Sequence, residues 1–433
     1  MQRWDEMEIY VVRQGDTVTS IAEKFNVSPK RIIADNGLIY PYRLVEGQAL
    51  LILFPDTVYA VREGDTLTKI ASYYNTTPLA IVQNNPELIL NQLLRVGQVL
   101  TISFRTQRSR SIIINGYAYP YINKSVLLRT LPYLSRLTIF GYGFTENGEL
   151  IEIDDEPLIR LALQFDVAPI MLLSSLTESG TFSGERASYL FNNINAQNAL
   201  ISKIITKMKE KNYYGLDVDF EFVNPEDAQA YLSFIRNITA QLNEQGFSVN
   251  VDLAPKTSAA QRGLLYEAHD YKNLGQAANT VLLMTYEWGY TYGPPMAVAP
   301  VNKVREVVDY AVTEIPPEKI LMGIPNYGYD WTLPYERGTS MAVSIGNDYA
   351  VVVAADNNAE IRFDTTAQTP YFEYRDGRGR PHVVWFEDVR SIKAKYDVID
   401  EYGLAGAGYW NIMRLFVQNW MYVNARYNIE KLR

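Results

Sequence analysis

Short apolar runs alternate with amphipathic stretches through most of the chain. The runs at 112–114, 137–140, 168–173, 215–222, 248–253, 280–286, 320–324 and 406–410 are strand candidates. Between them, apolar residues recur at helical spacing. The stretch entered at Pro225-Glu226-Asp227 puts Tyr231, Phe234, Ile235 and Ile238 on one face and stops at Gly246. Eight strands alternating with helices predict an α/β fold, a (β/α)8 barrel rather than an open sheet. Such a barrel takes about 250 residues. The surplus collects between the seventh and eighth strands, at about 332–384. Strand-like pieces at 350–353, 361–363 and 371–374 and an Asp376-Gly377 turn signal predict a small inserted α+β subdomain there, forming one wall of a cleft.

The first hundred residues follow another rhythm. Tyr10-Val-Val-Arg-Gln-Gly-Asp-Thr17 returns as Tyr59-Ala-Val-Arg-Glu-Gly-Asp-Thr66, and Ile21-Ala22, Phe25-Asn26, Pro29 and Asn36 match Ile70-Ala71, Tyr74-Asn75, Pro78 and Asn85. One inserted residue later, Gly47-Gln48 aligns with Gly97-Gln98. Each unit reads strand, helix, helix, strand, with Asp16 or Thr17 capping a helix whose apolar positions are Val18, Ile21, Ala22 and Phe25. The units span 8–54 and 57–104, and the polar stretch 105–110 reads as a linker to a domain at 110–430.

Composition narrows the chemistry. A net charge of -9 argues against nucleic-acid binding, which needs a basic face. Acidic and basic side chains balance within each repeat, so polymer recognition there rests on hydrogen bonds and shape. Without cysteine there are no disulfides, thiolate nucleophiles or zinc–cysteine sites. Two histidines, His269 and His382, exclude a multi-histidine metal centre and argue against a Ser-His-Asp triad; His269 reads as structural. No metal or organic cofactor is expected. The 32 tyrosines could stack on sugars, but core packing is the commoner use of such rings. No run approaches the roughly 18 apolar residues of a membrane span. Residues 1–12 hold no apolar leader, so export by a standard cleavable signal is not expected.

One strand carries the chemistry. In Tyr214-Gly-Leu-Asp-Val-Asp-Phe-Glu-Phe222, Asp217, Asp219 and Glu221 alternate with Leu216, Val218, Phe220 and Phe222. A period of two puts three carboxylates on one face and four large apolar groups on the other. In a barrel the apolar face packs under the helices, the acids turn inward, and Glu221 emerges at the C-terminal rim. Crowded acids repel, so at least one should hold a proton at neutral pH, as a general acid must.

These residues carry two resemblances. The duplicated unit resembles the LysM domain, a βααβ module that binds N-acetylglucosamine-containing glycans. That resemblance implies sugar contacts at Gly15, Asp16, Thr17, Asn36 and Gly37, and at Gly64, Asp65, Thr66, Asn84 and Asn85. Asp217-x-Asp219-x-Glu221 resembles the DGxDxDxE signature of glycoside hydrolase family 18. Met284-Thr-Tyr-Glu-Trp288 on the sixth strand, Gly323-Ile-Pro-Asn-Tyr-Gly328 on the seventh and Trp410 ending the eighth fall in matching order. The family reading implies substrate-assisted retaining hydrolysis, with Glu221 as acid and base, Asp219 orienting the substrate acetamido group, Asp217 sharing its proton and Tyr286 donating its hydroxyl. Trp410 would floor the reacting sugar, with Glu287, Trp288 and Tyr327 as further contacts.

Three positions depart from the family. Tyr214 stands where the signature opens with Asp, Glu287 replaces an Asp, and the third strand lacks Ser-x-Gly-Gly. With the LysM pair, the whole resembles the spore-cortex-lytic N-acetylglucosaminidases. A monomer acting on peptidoglycan of the spore, made in the mother cell, is therefore expected. A non-catalytic glycan-binding protein, or a chitinase or endo-N-acetylglucosaminidase, are the alternatives.

Overall fold

The structure, a computed structural model, describes residues 6–90 and 93–431; the 1–12 stretch read for a leader lies partly outside them. Eight parallel strands run Ser111–Ala118, Arg136–Phe144, Ala168–Ser174, Gly215–Asp219, Ser248–Leu253, Thr280–Leu283, Ile320–Pro325 and Gly406–Trp410. Each pairs with its neighbour in sequence order and the eighth returns to the first, closing the expected (β/α)8 barrel. Every candidate run became a barrel strand. Parallel strands covered by helices read as nearly continuous apolar runs, which makes them visible in a sequence.

Strand ends differ from expectation. The fourth strand stops at Asp219, and Phe222 takes φ 57° and stands 47% exposed. The apolar face therefore holds three residues, Leu216, Val218 and Phe220, not four. The sixth strand stops at Leu283, so 284–288 is a loop at the barrel mouth rather than strand.

The insertion is a five-stranded antiparallel sheet ordered Val343–Ile345, Gly328–Thr332, Pro381–Trp385, Thr369–Arg375, Arg362–Asp364. It begins at Gly328, straight after the seventh strand. Residues 350–353, expected as strand, lie in the helix Asn347–Asp356. Ala350 and Ala354 are fully buried against Phe372 and Val384, and this packing overrides the β-preference of the valine run between them.

Both N-terminal units are βααβ: Met7–Val11, Val18–Phe25, Pro29–Asn36 and Ala49–Leu53, then Pro55–Ala60, Leu67–Tyr73, Pro78–Asn84 and Val99–Phe104. They do not hang from a linker. In the strand Ala49–Leu53, Leu50 and Ile52 face their own module while Ala49, Leu51 and Leu53 join the barrel's core cluster. The C-terminal helix Val417–Arg426 lies between barrel and modules, with residues 417–425 all buried. Its Gln418 Nε2 donates to Asn36 Oδ1 (2.7 Å) and the Ala49 carbonyl (2.9 Å), and its Asn424 Nδ2 donates to Asn84 Oδ1 (2.8 Å). Stretch 105–110 is pinned as well, Arg108 donating to the Asn424 carbonyl and side chain. Among the described residues, no helix is long and apolar enough to cross a membrane.

Candidate active site

The inward face of the fourth strand delivers Asp217 and Asp219 into the barrel, both buried, and Glu221 follows two residues beyond Asp219, half-buried. Behind this face, Phe220 packs against Phe191, Tyr231 and Phe234 of the surrounding helices. The alternation that buries these rings is what turns the acids inward.

Asp217 has a partner the sequence reading missed. Asp252, on the fifth strand, is buried beside it, and both carboxylates share two donors. The Tyr117 hydroxyl lies 2.7 Å from Asp217 Oδ2 and 2.9 Å from Asp252 Oδ1; Asn250 Nδ2 donates to Asp217 Oδ1 (2.7 Å) and Asp252 Oδ1 (3.0 Å). A phenol has one proton, so Tyr117 cannot give a full hydrogen bond to both carboxyl groups, and their closeness around it favours a proton shared within the pair. The signal was present: Asn250 and Asp252 alternate with Val249, Val251 and Leu253 as the acids of the fourth strand do.

Electrostatics agree with the geometry. Burial, and then Glu221 and Asp217, push the Asp219 carboxyl far above the ordinary range. Burial followed by the charges of Asp217 and Asp219 does the same to Asp252. Burial raises Asp217 too, against the hydrogen bonds it accepts from Asn250 and Tyr117. Glu221 is raised by burial and then by Glu287, which suits an acid that must hold its proton near neutrality. Asp219 Oδ1 is buried with no hydrogen-bond partner among the described residues. A buried carboxylate oxygen left open beside the cleft matches a substrate N–H.

Tyr286 is half-buried at the mouth. Its ring fills space that a Cβ on Gly323 would occupy, only 2.7 Å from Cε1. Burial, then Asp252 and Asp219, push its hydroxyl well above the ordinary phenol range, so it remains a donor. Glu287 accepts from the Tyr327 hydroxyl and from Tyr329 (3.2 and 3.3 Å), which ties the sixth-strand loop to the inserted sheet. Trp288 is half-buried against the barrel core, and its backbone N–H donates to the Val298 carbonyl. His269 is buried, takes the Ala254 N–H on Nδ1, and burial lowers its pKa to about 4; it stays neutral and structural.

Trp410 ends the eighth strand half-buried, its ring 5.9 Å from Tyr117, 6.0 Å from Tyr119 and 5.6 Å from Phe140. Tyr119 stacks on Tyr121 at 5.2 Å, and Tyr121 is 76% exposed. This aromatic shelf was also missed, although Tyr119-Pro-Tyr121 stands directly after the first strand, where barrel sites gather.

The module residues divide. Gly15, Asp16 and Thr17, and Gly64, Asp65 and Thr66, lie at the surface, where the aspartates and threonines form turns and helix caps. Asp16 Oδ2 accepts from Tyr10 (2.7 Å) and the Arg13 N–H (2.8 Å), Asp65 Oδ2 accepts from Tyr59 (2.8 Å) and the Arg62 N–H (2.7 Å), and Thr17 and Thr66 cap helices. Asn36, Asn84 and Asn85, expected as sugar contacts, are instead buried. Asn36 pairs with both backbone groups of Leu51, donating from Nδ2 to its carbonyl and accepting its N–H on Oδ1; Asn85 does the same with Thr101; Asn84 donates to the Ile102 carbonyl. Gly37 is packed against Val417, so it too faces the barrel helix. Asn85 holds its own module together, while Asn36, Gly37 and Asn84 also meet the barrel's C-terminal helix. Exposed rings stand nearby: Tyr40 and Tyr42, 5.7 Å apart, follow the second helix of the first module.

Comparison with known proteins agrees with this geometry. The description "Glycosyl hydrolases family 18" matches residues 134–414, and "LysM domain" matches 10–52 and 59–103. The cortical fragment-lytic enzyme of Bacillus subtilis (strain 168) is 39% identical, covering 98% of this chain and 99% of its own length. The crystal structure of the Bacillus cereus spore cortex-lytic enzyme SleL superposes with a TM-score of 0.84 at 37% identity, covering 98% and 99% of the two chains. That of SleL from Bacillus megaterium QM B1551 gives 0.83, also at 37% identity with the same coverage. A buried row of acids at the barrel mouth, preceded by two LysM modules, thus has its place: the chain belongs to glycosyl hydrolase family 18.

Proposed function

We propose that this hydrolase cleaves the β-1,4 bond after N-acetylglucosamine in spore-cortex peptidoglycan, by a substrate-assisted retaining route. The observation that carries the reading is the open, buried Asp219 Oδ1, with Glu221 two residues on raised above the ordinary carboxyl range by burial and by Glu287. An acetamido N–H placed on Asp219 orients its carbonyl oxygen toward the anomeric carbon. Glu221 then protonates the departing glycosidic oxygen, and Tyr286 donates to the acetamido oxygen. Family-18 enzymes use the substrate's acetamido group where most retaining glycosidases use a second carboxylate.

Asp219 becomes the counter-charge to the cationic ring formed in that step. As Asp219 gains charge its proton passes to Asp217, whose own charge is spread over the Tyr117 and Asn250 donors that it shares with Asp252. In the second step Glu221 takes a proton from water, which opens the ring with overall retention. Trp410 and the Tyr119–Tyr121 shelf supply flat apolar faces for sugars.

The substrate follows from the relatives' names, cortical fragment-lytic and spore cortex-lytic enzymes, together with the LysM pair. On this reading the modules, 8–54 and 57–104, bind the glycan, the 110–430 barrel cuts it, and a monomer deposited on the spore by the mother cell suffices. Mass spectrometry of cortex fragments treated with the wild type and with Glu221→Gln tests the proposal. New N-acetylglucosamine reducing ends, reduced about 10²–10⁴-fold in the variant, are expected. New muramic ends would refute the bond assignment, and binding without cutting would make the protein a lectin.

A further inference from the structure

The two modules repeat one turn in two different settings. In the first, Gly47 has φ 82°, its N–H donates to the Val12 carbonyl, and the Val45 N–H donates to Gln48 Oε1. In the second, Gly97 has φ 82°, its N–H donates to the Val61 carbonyl, and the Arg95 N–H donates to Gln98 Oε1. The backbone is the same; the surroundings are not. A Cβ on Gly47 would lie 1.7 Å from the Ile361 carbonyl oxygen, whereas one on Gly97 meets nothing within 4 Å. Position 45 is a buried valine, and its counterpart Arg95 is exposed.

What the first turn touches is the inserted subdomain. Val45 is a member of that subdomain's own core, with Ile345, Ala354, Ile361, Phe372 and Phe386. The Ile361 N–H donates to the Glu46 carbonyl (2.9 Å), Arg43 pairs with Asp356, and Arg390 Nη2 donates to the Gly47 carbonyl (3.1 Å). Arg390 also holds Asp388, the N-cap of the helix by which the chain returns to the barrel. Phe386 in turn packs on the first strand of the inserted sheet, where a Cβ on Gly328 would lie 2.8 Å from its Cβ. That strand carries Tyr329, which with Tyr327 holds Glu287, whose charge acts on Glu221.

We propose that the first LysM module is a structural part of the catalytic cleft: its 43–47 turn braces the inserted subdomain so that Tyr327 and Tyr329 hold Glu287 in place. The second module carries the same turn without this duty. A contact made only for recruitment to polymer would not require a module residue inside the core of the cleft wall. The inference rests on the glycosidase reading for its kinetic readout alone.

The test compares Gly47→Ala with Gly97→Ala in the full chain; both place a Cβ at φ 82°, so intrinsic backbone strain is matched. Val45→Ala accompanies them, removing two methyl groups from the subdomain core without altering the turn, and it carries the test if Gly47→Ala does not fold. Hydrogen exchange of the strands Gly328–Thr332 and Pro381–Trp385 should quicken in Gly47→Ala and Val45→Ala and stay unchanged in Gly97→Ala. On a cortex tetrasaccharide released by a muramidase, kcat should fall on the order of tenfold in the first two, less than the roughly hundredfold that a 1 Å misplacement can cost. Their alkaline limb should move to lower pH as Glu287 leaves Glu221. Equal behaviour of Gly47→Ala and Gly97→Ala in exchange and kinetics overturns the brace. Altered exchange with no cleavage by the wild type supports the brace and refutes the glycosidase reading instead.

Discussion

Two sets of carboxylates looked alike in the sequence, each in a short motif with a functional reading, and the fold treats them in opposite ways. Asp16 and Asp65 sit in surface turns, each accepting from a tyrosine hydroxyl and a backbone N–H. The Arg62 N–H first, and then Tyr59, hold Asp65 below the usual carboxylate range, so its charge is secured. Asp217, Asp219 and Glu221 are pushed upward by burial and, for Asp219 and Glu221, by one another or by Glu287. A carboxylate surrounded by donors shapes a turn. One buried among other acids is pushed toward its protonated form.

The sharpest way to break this contrast is Tyr286→Phe, which on the proposed route removes one donor from the acetamido oxygen and leaves the acid row intact. Hydrolysis of cortex tetrasaccharide should fall by about 10²–10³-fold with substrate affinity little changed. An unchanged kcat would remove Tyr286 from the site. Asp219→Asn tests the electrostatic half. Below about pH 4, aspartic acid is protonated in both folded and unfolded chains. At pH 7 the unfolded chain gains from an ionisation that the buried site opposes, so wild-type stability declines with rising pH relative to the amide variant. Asp219→Asn should melt a few degrees higher than wild type at pH 7, on a scale of ~2 °C per kcal/mol, with the gap closing toward pH 4.

Glu287→Gln should act more modestly. Removing its charge lowers the Glu221 pKa and moves the alkaline limb of kcat to lower pH by up to about one unit. A limb that stays put would mean Glu287 is too well screened to matter. The smallest effect belongs to the other set: Thr66→Ala should cost about 1 kcal/mol in denaturant unfolding through loss of a helix cap. Weakened cortex binding at unchanged stability would make that turn a sugar contact after all.

The barrel was legible because each of its strands is covered on both sides and so reads as an apolar run. Asp217 and Asp219 were legible as an inward row because Leu216 and Val218 fix the pleat that turns them into the barrel, and Glu221 follows just past the strand's end. Phe222 was misassigned because the strand stops at Asp219 and φ 57° takes the ring outward. The valines at 351–353 favoured a strand, yet Ala350 and Ala354 set a helical face against Phe372. Asn36, Asn84 and Asn85 were assigned to sugar on the picture of a free-standing module. Nothing near them in sequence announces that Gln418 and Asn424, more than 300 positions on, will meet two of them. Asp252 was readable from its alternation with Val251 and Leu253, but only once a second inward-facing row was sought.

The helix Val417–Arg426, enclosed on all sides, has a consequence for how the enzyme meets an insoluble wall. A catalytic unit on a flexible tether searches a volume, and its advantage varies with tether length. Here tether length is not a variable. Anchor and blade share one solid frame, so a glycan strand gains from both only when its own path matches their fixed separation, and the molecule carries its measure of the polymer as a ruler does.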